Sequence, residues 1–159
     1  MRAVRGFSLI ELVTVLVLIG ALAVFAVPRL NTGGFAGYSF HEELLAVVRH
    51  AQKTATASRC EVEVTVDKNN DSYAIVFTGA GPDGCPPADT PLIAPGRGGN
   101  LAGNAPSRVN INQGAQFIFD GFGVPKSTTP PPEITMTTTI EIDNRRRIEI
   151  EAFTGYVHD

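Results

Sequence analysis

The organisation of this chain is decided by the stretch Arg5-Gly6-Phe7-Ser8-Leu9-Ile10-Glu11-Leu12 and by the apolar sequence that follows it. From Phe7 to Val27 the only residues outside the apolar set are Ser8, Glu11, Thr14 and Gly20. As an α-helix rising about 1.5 Å per residue, this segment is roughly 31 Å long. A hydrocarbon core of about 30 Å matches that length, so the segment predicts a membrane-spanning helix.

The charges around this segment predict its orientation and leave three interpretations open. Arg2 and Arg5 precede the apolar run, which itself contains no basic residue. This asymmetry predicts a cytoplasmic N-terminus and an exported remainder. The segment is then a secretory signal peptide cut after Ala21-Leu22-Ala23, a plain signal anchor, or a leader cut after Gly6. A signal peptide usually has a shorter apolar core, of about 7–15 residues.

Glu11 distinguishes these interpretations. A carboxylate inside a membrane helix costs on the order of 2–3 kcal/mol and therefore usually has a partner. No cation lies within the apolar run, but a cut after Gly6 creates a free amine on Phe7. That amine, one turn from Glu11, can neutralise it within one chain or in a neighbouring chain. A pairing between chains would fix their axial register.

Together, these residues resemble the leader and cleavage motif of type IV prepilins and pseudopilins. The resemblance implies that Gly6 precedes the cut, that Phe7 becomes the N-methylated first residue and that Glu11 is the assembly glutamate. Pro28 falls where many pilins carry a helix-kinking proline, although simple helix termination also explains it. The implied layout is a leader at 1–6, a transmembrane and assembly helix at 7–30 and a soluble pilin-like head at 31–159.

The resemblance also implies partners and a location. The expected partners are other pilin or pseudopilin subunits, a prepilin peptidase and methyltransferase, and inner-membrane lipid before assembly. The head is expected on the periplasmic side of a bacterial inner membrane, and later in a pilus or pseudopilus. The formal net charge is −3 and becomes −5 when Arg2 and Arg5 leave with the leader. An acidic protein is a poor general ligand for nucleic acid, so nucleic acid is not expected as a partner.

The head begins with a predicted helix over residues 39–58. Ser39 followed by Glu42 fits a capping box, and apolar residues then recur at helical spacing. We expect Phe40, Leu44 and Val48 to pack under a sheet. Three polar residues should face water or neighbouring subunits: Arg49, Gln52 and Lys53.

Six strands are predicted after this helix, which gives an α+β fold with an antiparallel sheet. The signal is clearest at Val62, Val64 and Val66, which alternate with polar residues. The predicted strands are 61–66, 72–78, 108–112, 116–120, 134–143 and 146–153, and the last two form a hairpin around Asn144. The segment 79–106 is a long loop rich in Gly and Pro. Cys85 lies in it. In an oxidising compartment we expect a bridge to Cys60, with two buried thiols as the alternative.

The order of elements resembles the GspH/FimT pseudopilins. This resemblance is carried by Phe119-Asp120-Gly121-Phe122-Gly123-Val124-Pro125 and by the ending Arg147-Ile148-Glu149-Ile150 with Thr154-Gly155-Tyr156-Val157. Residues 45–57 look closest to minor pilins of mannose-sensitive haemagglutinin (MSHA) systems. Major pilins usually close a C-terminal loop with their disulfide, whereas both cysteines here lie earlier. The resemblance therefore implies a minor pilin or pseudopilin, a structural subunit of a type IV pilus or type II secretion pseudopilus.

No pattern of catalytic, metal-binding or cofactor-binding residues is apparent. Asp67–Asp71 offers the first ligands of a calcium loop but lacks its glycine and its final glutamate, so a hairpin turn is the better interpretation. The three histidines show no metal-ligand spacing. We therefore expect a protein that is not an enzyme and has neither metal nor cofactor.

Arg145, Arg146 and Arg147 form the one basic cluster. The alternative function is a pilus-tip binding module in which these arginines contact DNA, or one that grips a surface. Carboxylates on both sides of the cluster should largely cancel its field. A solvated hairpin turn paired with those carboxylates is the favoured interpretation.

Overall fold

Two helices open the chain in this computed structural model, which describes residues 8–26, 32–96, 98–129 and 137–159. Helix α1 spans Leu9–Ala26, and helix α2 spans Thr32–Ser58. The chain divides into two units, Met1–Thr32 and Gly33–Asp159. Gly6, Phe7 and Pro28 lie outside the described residues.

Helix α1 is apolar on every side. The carbonyl of Ser8 accepts hydrogen bonds from the backbone N–H groups of Glu11 and Leu12, at 3.0 and 3.2 Å, and so begins the helix. Its described side chains are exposed, including Leu9 at 83% and Leu18 at 62%. A helix that is apolar all round is stable only when its whole surface is covered. Among the described residues, no helix combines the length and the apolarity needed to cross a membrane.

Helix α2 begins seven residues before the predicted start, so Ser39 lies within the helix and the expected capping box is wrong. The added turns are held by contacts with the distant hairpin around Asn144. Arg146 donates a hydrogen bond to the carbonyl of Gly34 at 3.2 Å, and Gly37 leaves no space for a Cβ beside Asp143. The helix ends at Ser58 as predicted. Arg59 follows with a φ of 61°, the left-handed conformation that commonly terminates helices.

In the described part of the chain, ten strands follow α2, in two antiparallel sheets. The first sheet has the order β3-β2-β1-β6-β7, with β4 also paired to β2; the second has the order β10-β9-β8-β5. The strands are β1 Val62–Asp67, β2 Ser72–Phe77, β3 Thr90–Pro91, β4 Ala102–Asn104, β5 Ile111–Gln113, β6 Ala115–Phe119, β7 Pro125–Ser127, β8 Thr138–Ile142, β9 Arg146–Ile150 and β10 Val157–His158. The α+β fold class is confirmed, and each of the six predicted strands has a counterpart. Four short strands, β3, β4, β7 and β10, were not predicted.

The core lies between α2 and the sheets. Phe40, Leu44 and Val48 are buried on one face of α2, as predicted. The alternation in β1 places Val62 and Val64 in the same core, because successive strand residues point to opposite faces. The pairing of β1 with both β2 and β6 puts this strand at the centre of the first sheet.

The segment 79–106, predicted as one long loop, is tied to the first sheet. Leu92 and Leu101 are buried, and the N–H of Leu92 donates to the carbonyl of Ile75 at 3.0 Å. Strands β3 and β4 both pair with β2 in the same region. Sparse apolar residues that insert into the core therefore order a segment whose sequence carries little periodicity.

Candidate functional site

Glu11 is the only acidic residue in the first turn of α1. Its side chain is exposed, and the neighbouring Thr14 hydroxyl donates to its backbone carbonyl at 2.9 Å. The amino end of a helix carries a partial positive charge that favours a nearby carboxylate. Glu11 therefore lies one turn from the predicted position of the Phe7 amine, on a surface that is otherwise apolar.

A disulfide joins Cys60 and Cys85, the pair expected from the sequence, with Cα atoms 5.6 Å apart. Cys60 lies between the end of α2 and the start of β1, and Cys85 belongs to the segment 79–106. A Cβ at Gly81 would lie 2.6 Å from the Cys85 sulfur, so the chain passes too close for a larger residue. The bond fastens that segment to the start of the sheet. On the loop-entropy model such a cross-link stabilises by roughly 3 kcal/mol.

Two of the three clustered arginines lie within ion-pair distance of carboxylates, the kind of pairing that the favoured interpretation expected. Arg146 lies 3.9 Å from Asp143, and Arg147 lies 3.8 Å from Glu141. Arg145 is exposed in the turn between β8 and β9. Because Arg146 also binds the carbonyl of Gly34, it holds the start of α2. Arg147 nevertheless stays 63% exposed, and no carboxylate among the described residues lies within ion-pair distance of Arg145, so part of the cluster remains an accessible basic surface.

Two helix residues that we expected to face water or neighbouring subunits are instead bound within the head. Arg49 donates from Nε to the carbonyl of Val157 at 3.1 Å. Gln52 donates from Nε2 to the carbonyls of Gly123 and Thr154, at 3.0 and 3.5 Å. That expectation is wrong for both residues, and only Lys53 is exposed. Gln52 thereby joins two turns that are distant in sequence.

His41 is buried in the head, at 3% exposure. Its Nε2 lies 3.1 Å from the carbonyl of Arg147 and donates to it in the Nε2–H tautomer. Its Nδ1 lies 3.4 Å from the Glu42 carboxylate but forms no hydrogen bond. This histidine therefore packs α2 against β9 and the turn before it.

The carboxylates of the acidic turn between β1 and β2 are held by hydrogen bonds. Asp67 accepts hydrogen bonds from the backbone N–H of Asn69 at 2.7 Å and from the Asn70 amide at 2.6 Å. These bonds, chiefly the one from the Asn69 backbone, lower the pKa of Asp67. Asp71 accepts from the N–H of Ile111 at 2.7 Å. The geometry is that of a hairpin turn, and no metal-holding group of three ligands occurs among the residues described.

One comparison with known proteins finds a match at the N-terminus. The family model described as the prokaryotic N-terminal methylation motif matches residues 1–27. No curated protein and no solved structure matches the chain. The match covers the leader and α1 and does not extend into the head.

The matched motif indicates a structural protein of the pilin type. The fold of the head is also pilin-like, since a helix packs on mostly antiparallel sheets. Motif and fold together support a type IV pilin or pseudopilin subunit. The motif also implies processing by a prepilin peptidase, anchoring in the inner membrane before assembly, and assembly with other pilins.

Proposed function

We propose that this chain is a minor pilin or pseudopilin that is cut after Gly6 and then assembles into a filament. The observation that carries the proposal is the single carboxylate of Glu11 in the first turn of an otherwise apolar helix. An apolar helix needs cover along its whole length, and a buried carboxylate needs a cation. The apolar helix of a neighbouring subunit meets the first need, and the amine of its Phe7 meets the second. Methylation of that amine leaves its positive charge in place.

The proposal assigns a role to each part of the chain. Residues 1–6 are the leader, residues 7–30 anchor the subunit in the inner membrane and later pack in the filament, and Pro28 bends or ends the helix. Residues 31–159 form the head on the periplasmic side. The Cys60–Cys85 disulfide fits an exported head, because such bonds persist in oxidising compartments.

The finer assignment is a minor subunit of the GspH/FimT kind, and residues 45–57 most resemble the MSHA minor pilins. The two turns that carry this resemblance, at Asp120–Val124 and Thr154–Val157, are joined through Gln52. The alternative, a DNA-binding tip module, is disfavoured because two of the three clustered arginines are paired with carboxylates.

N-terminal mass spectrometry of the protein from cells with a prepilin peptidase tests the proposal. We expect a mature chain that starts at Phe7 and carries one additional methyl group on its amine. A Gly6→Val variant should keep its leader, because the bulky side chain blocks the cleavage site. Gly20→Val is the matched control: a Cβ at Gly20 meets nothing within 4 Å, so this variant should be cut normally. A start near Val24, or an intact leader in the wild type, would exclude the proposal.

A further inference from the structure

A groove of mixed charge lies beside the first turns of α2, with a volume of about 480 Å³. Tyr38, His41 and Glu42 line it from the helix, and residues 144–147 line it from the hairpin. Its described lining includes three guanidinium groups and three carboxylates: Arg145, Arg146, Arg147, Glu42, Glu141 and Asp159. Because both signs of charge are present in equal number, the groove complements a small zwitterion better than a polyanion. We call it the Arg145 groove.

Each wall of the Arg145 groove carries a charge that its own hairpin or helix does not neutralise. On the hairpin, Arg145 is exposed, and no carboxylate of the described residues lies within ion-pair distance of it. The other two guanidinium groups lie near carboxylates of the hairpin. On the helix, the Glu42 side chain is 47% exposed, and its described ion-pair neighbour is the Nδ1 of His41, at 3.4 Å. A cation and an anion are therefore both available to a ligand.

The buried His41 adds an acceptor that lacks a donor. In the Nε2–H tautomer its ring donates to the carbonyl of Arg147, 3.1 Å away. The Nδ1 is then an acceptor, and it has no hydrogen-bond partner. The Glu42 carboxylate beside it is an acceptor as well, so this wall lacks N–H groups. A primary ammonium carries three N–H donors, as a lysine side chain does, and supplies them. A quaternary ammonium has none.

The hairpin wall has the chemistry that binds a phosphate. Guanidinium groups bind phosphate oxygens through two parallel N–H bonds, and they lose less hydration than an ammonium does. Arg145 is exposed and Arg147 is 63% exposed, so both reach a ligand in the groove. A phosphate on this wall and a primary ammonium on the other together make a phosphoethanolamine group, the headgroup of a common class of phospholipid.

Chain length keeps this groove close to the membrane of the proposed function. Helix α1 ends at Ala26 and α2 begins at Thr32. The connection covers at most about 22 Å even when it is fully extended. Phe35 and Tyr38, in the first turns of α2, are 74% and 55% exposed. Aromatic side chains are typical of segments at the level of lipid headgroups.

We propose that the Arg145 groove binds the phosphoethanolamine headgroup of a membrane phospholipid. Arg145 and Arg147 hold the phosphate, and Glu42 accepts hydrogen bonds from the ammonium. The bound headgroup holds the start of the head against the bilayer until the subunit leaves for the filament. The inference rests on the proposed function, which supplies the membrane. A weak site is sufficient there, because a tethered head meets headgroups at a high effective concentration.

Lipid titration of the full-length mature chain in dodecyl maltoside micelles tests the site. Short-chain phospholipids that differ only in the headgroup are added, and the backbone amide resonances of Asn144 and Arg145 are followed by NMR. We expect saturable shifts with dihexanoyl phosphatidylethanolamine, at a Kd at least about tenfold lower than with dihexanoyl phosphatidylcholine, whose ammonium has no N–H. Absence of shifts at these residues, or equal Kd values for the two lipids, would overturn the proposal.

Two variants separate the contacts to phosphate and ammonium. Arg145→Gln should weaken binding of phosphatidylethanolamine and of phosphatidylglycerol alike, each by about tenfold, because both carry the phosphate. Glu42→Gln should weaken only phosphatidylethanolamine, because phosphatidylglycerol has no ammonium. Lys53→Gln removes an exposed cation outside the groove lining and is the control, which should bind as wild type does. Mapping of the Cys60–Cys85 disulfide verifies that each variant is folded. An equal effect of Glu42→Gln on both lipids, or no effect of Arg145→Gln, would rule out this orientation of the headgroup and with it the proposal.

Competition distinguishes a lipid from other ligands of the same charge. Free phosphoethanolamine should displace the lipid only at higher concentration; if it binds more tightly than the lipid, the ligand is a soluble compound and the proposal is wrong. A short oligonucleotide that binds more tightly than the lipid would likewise overturn it and make the groove a polyanion site. If the chain starts at Phe7 and enters filaments but no lipid shifts the groove, this inference fails and the pilin assignment stands. If the leader is not removed in cells, the assignment itself fails, whatever the groove binds.

Discussion

The two helices draw their stability from different sources. Helix α1 exposes apolar side chains in every direction, whereas α2 buries one face under the sheets. The free energy that holds α2 therefore comes from within the head. In the proposed function, α1 is covered first by lipid and then by neighbouring subunits. A substitution in α1 should accordingly change assembly, and a substitution on the buried face of α2 should change folding.

Glu11→Ala should give the largest effect, and it should appear only in assembly. The substitution makes the segment more apolar, so membrane insertion and leader cleavage should continue. An incoming Phe7 amine would then be buried without a counter-charge, and removal of one partner of a buried pair typically costs about 3–5 kcal/mol. The measurement is the ratio of mutant to wild type in sheared filaments, compared with the same ratio in membranes.

Glu11→Asp is the matched control for this experiment. It keeps the charge but shortens the side chain by one methylene, so its incorporation should lie between those of wild type and Glu11→Ala. Equal ratios in filaments and membranes for the alanine variant would show that Glu11 is not an assembly contact. The protein would then be only a cleaved membrane anchor.

Leu44→Ala and Leu16→Ala compare the two helices directly. Leu44 is fully buried on α2, and its truncation should destabilise the head by about 2–5 kcal/mol. Leu16 is 61% exposed on α1, so its truncation should leave unfolding of the head unchanged. Denaturant unfolding of the full-length protein in detergent, followed by hydrogen exchange in β1 and β6, gives both values. Equal destabilisation of the head by the two variants would contradict the idea that only α2 contributes to its folding.

The sequence predicted the elements whose pattern is local. The apolar run from Phe7 to Val27 predicts a helix, and the alternation from Val62 to Val66 predicts a strand. The predicted start of α2 was wrong because the Ser39–Glu42 pattern is local, whereas the added turns are held by the distant hairpin. Arg146 binds the carbonyl of Gly34, and Gly37 passes close to Asp143. The short strands β3 and β4 have no periodic pattern, and they form because β2 offers them an edge.

The polar contacts of α2 escaped prediction for a related reason. Arg49 and Gln52 bind backbone carbonyls of segments more than seventy residues away. A carbonyl leaves no signature in the sequence, so nothing local distinguishes these residues from Lys53. The only sequence signal for these contacts was a glycine in each of the two turns, Gly123 and Gly155. The two turns approach each other too closely for a side chain at Gly155.

Gln52→Ala should have a smaller effect than the truncation of Leu44. The variant leaves the partly buried carbonyl of Gly123 without its donor, and an unsatisfied buried group costs about 1–3 kcal/mol. Lys53→Ala is the neighbouring control on the exposed face and should stay within about 0.5 kcal/mol of wild type. Chemical denaturation of the three proteins under the same conditions measures the difference. If the two variants are equally stable, Gln52 does not hold the turns together.

The smallest expected effect is a pH dependence confined to the last strand of the head. The hydrogen bond to Glu151, 3.2 Å from Nε2, is the main cause of the raised pKa of His158. A raised pKa means that the contact stabilises the folded head fully below the ordinary value of about 6.5, and that this contribution is lost as the pH rises through the folded value. NMR titration of the imidazole should show the raised pKa in wild type and a return toward the ordinary value in Glu151→Gln. Glu149→Gln removes a charge that acts without a hydrogen bond, so it should lower the pKa less. An identical titration in all three proteins would mean that Glu151 does not hold the histidine.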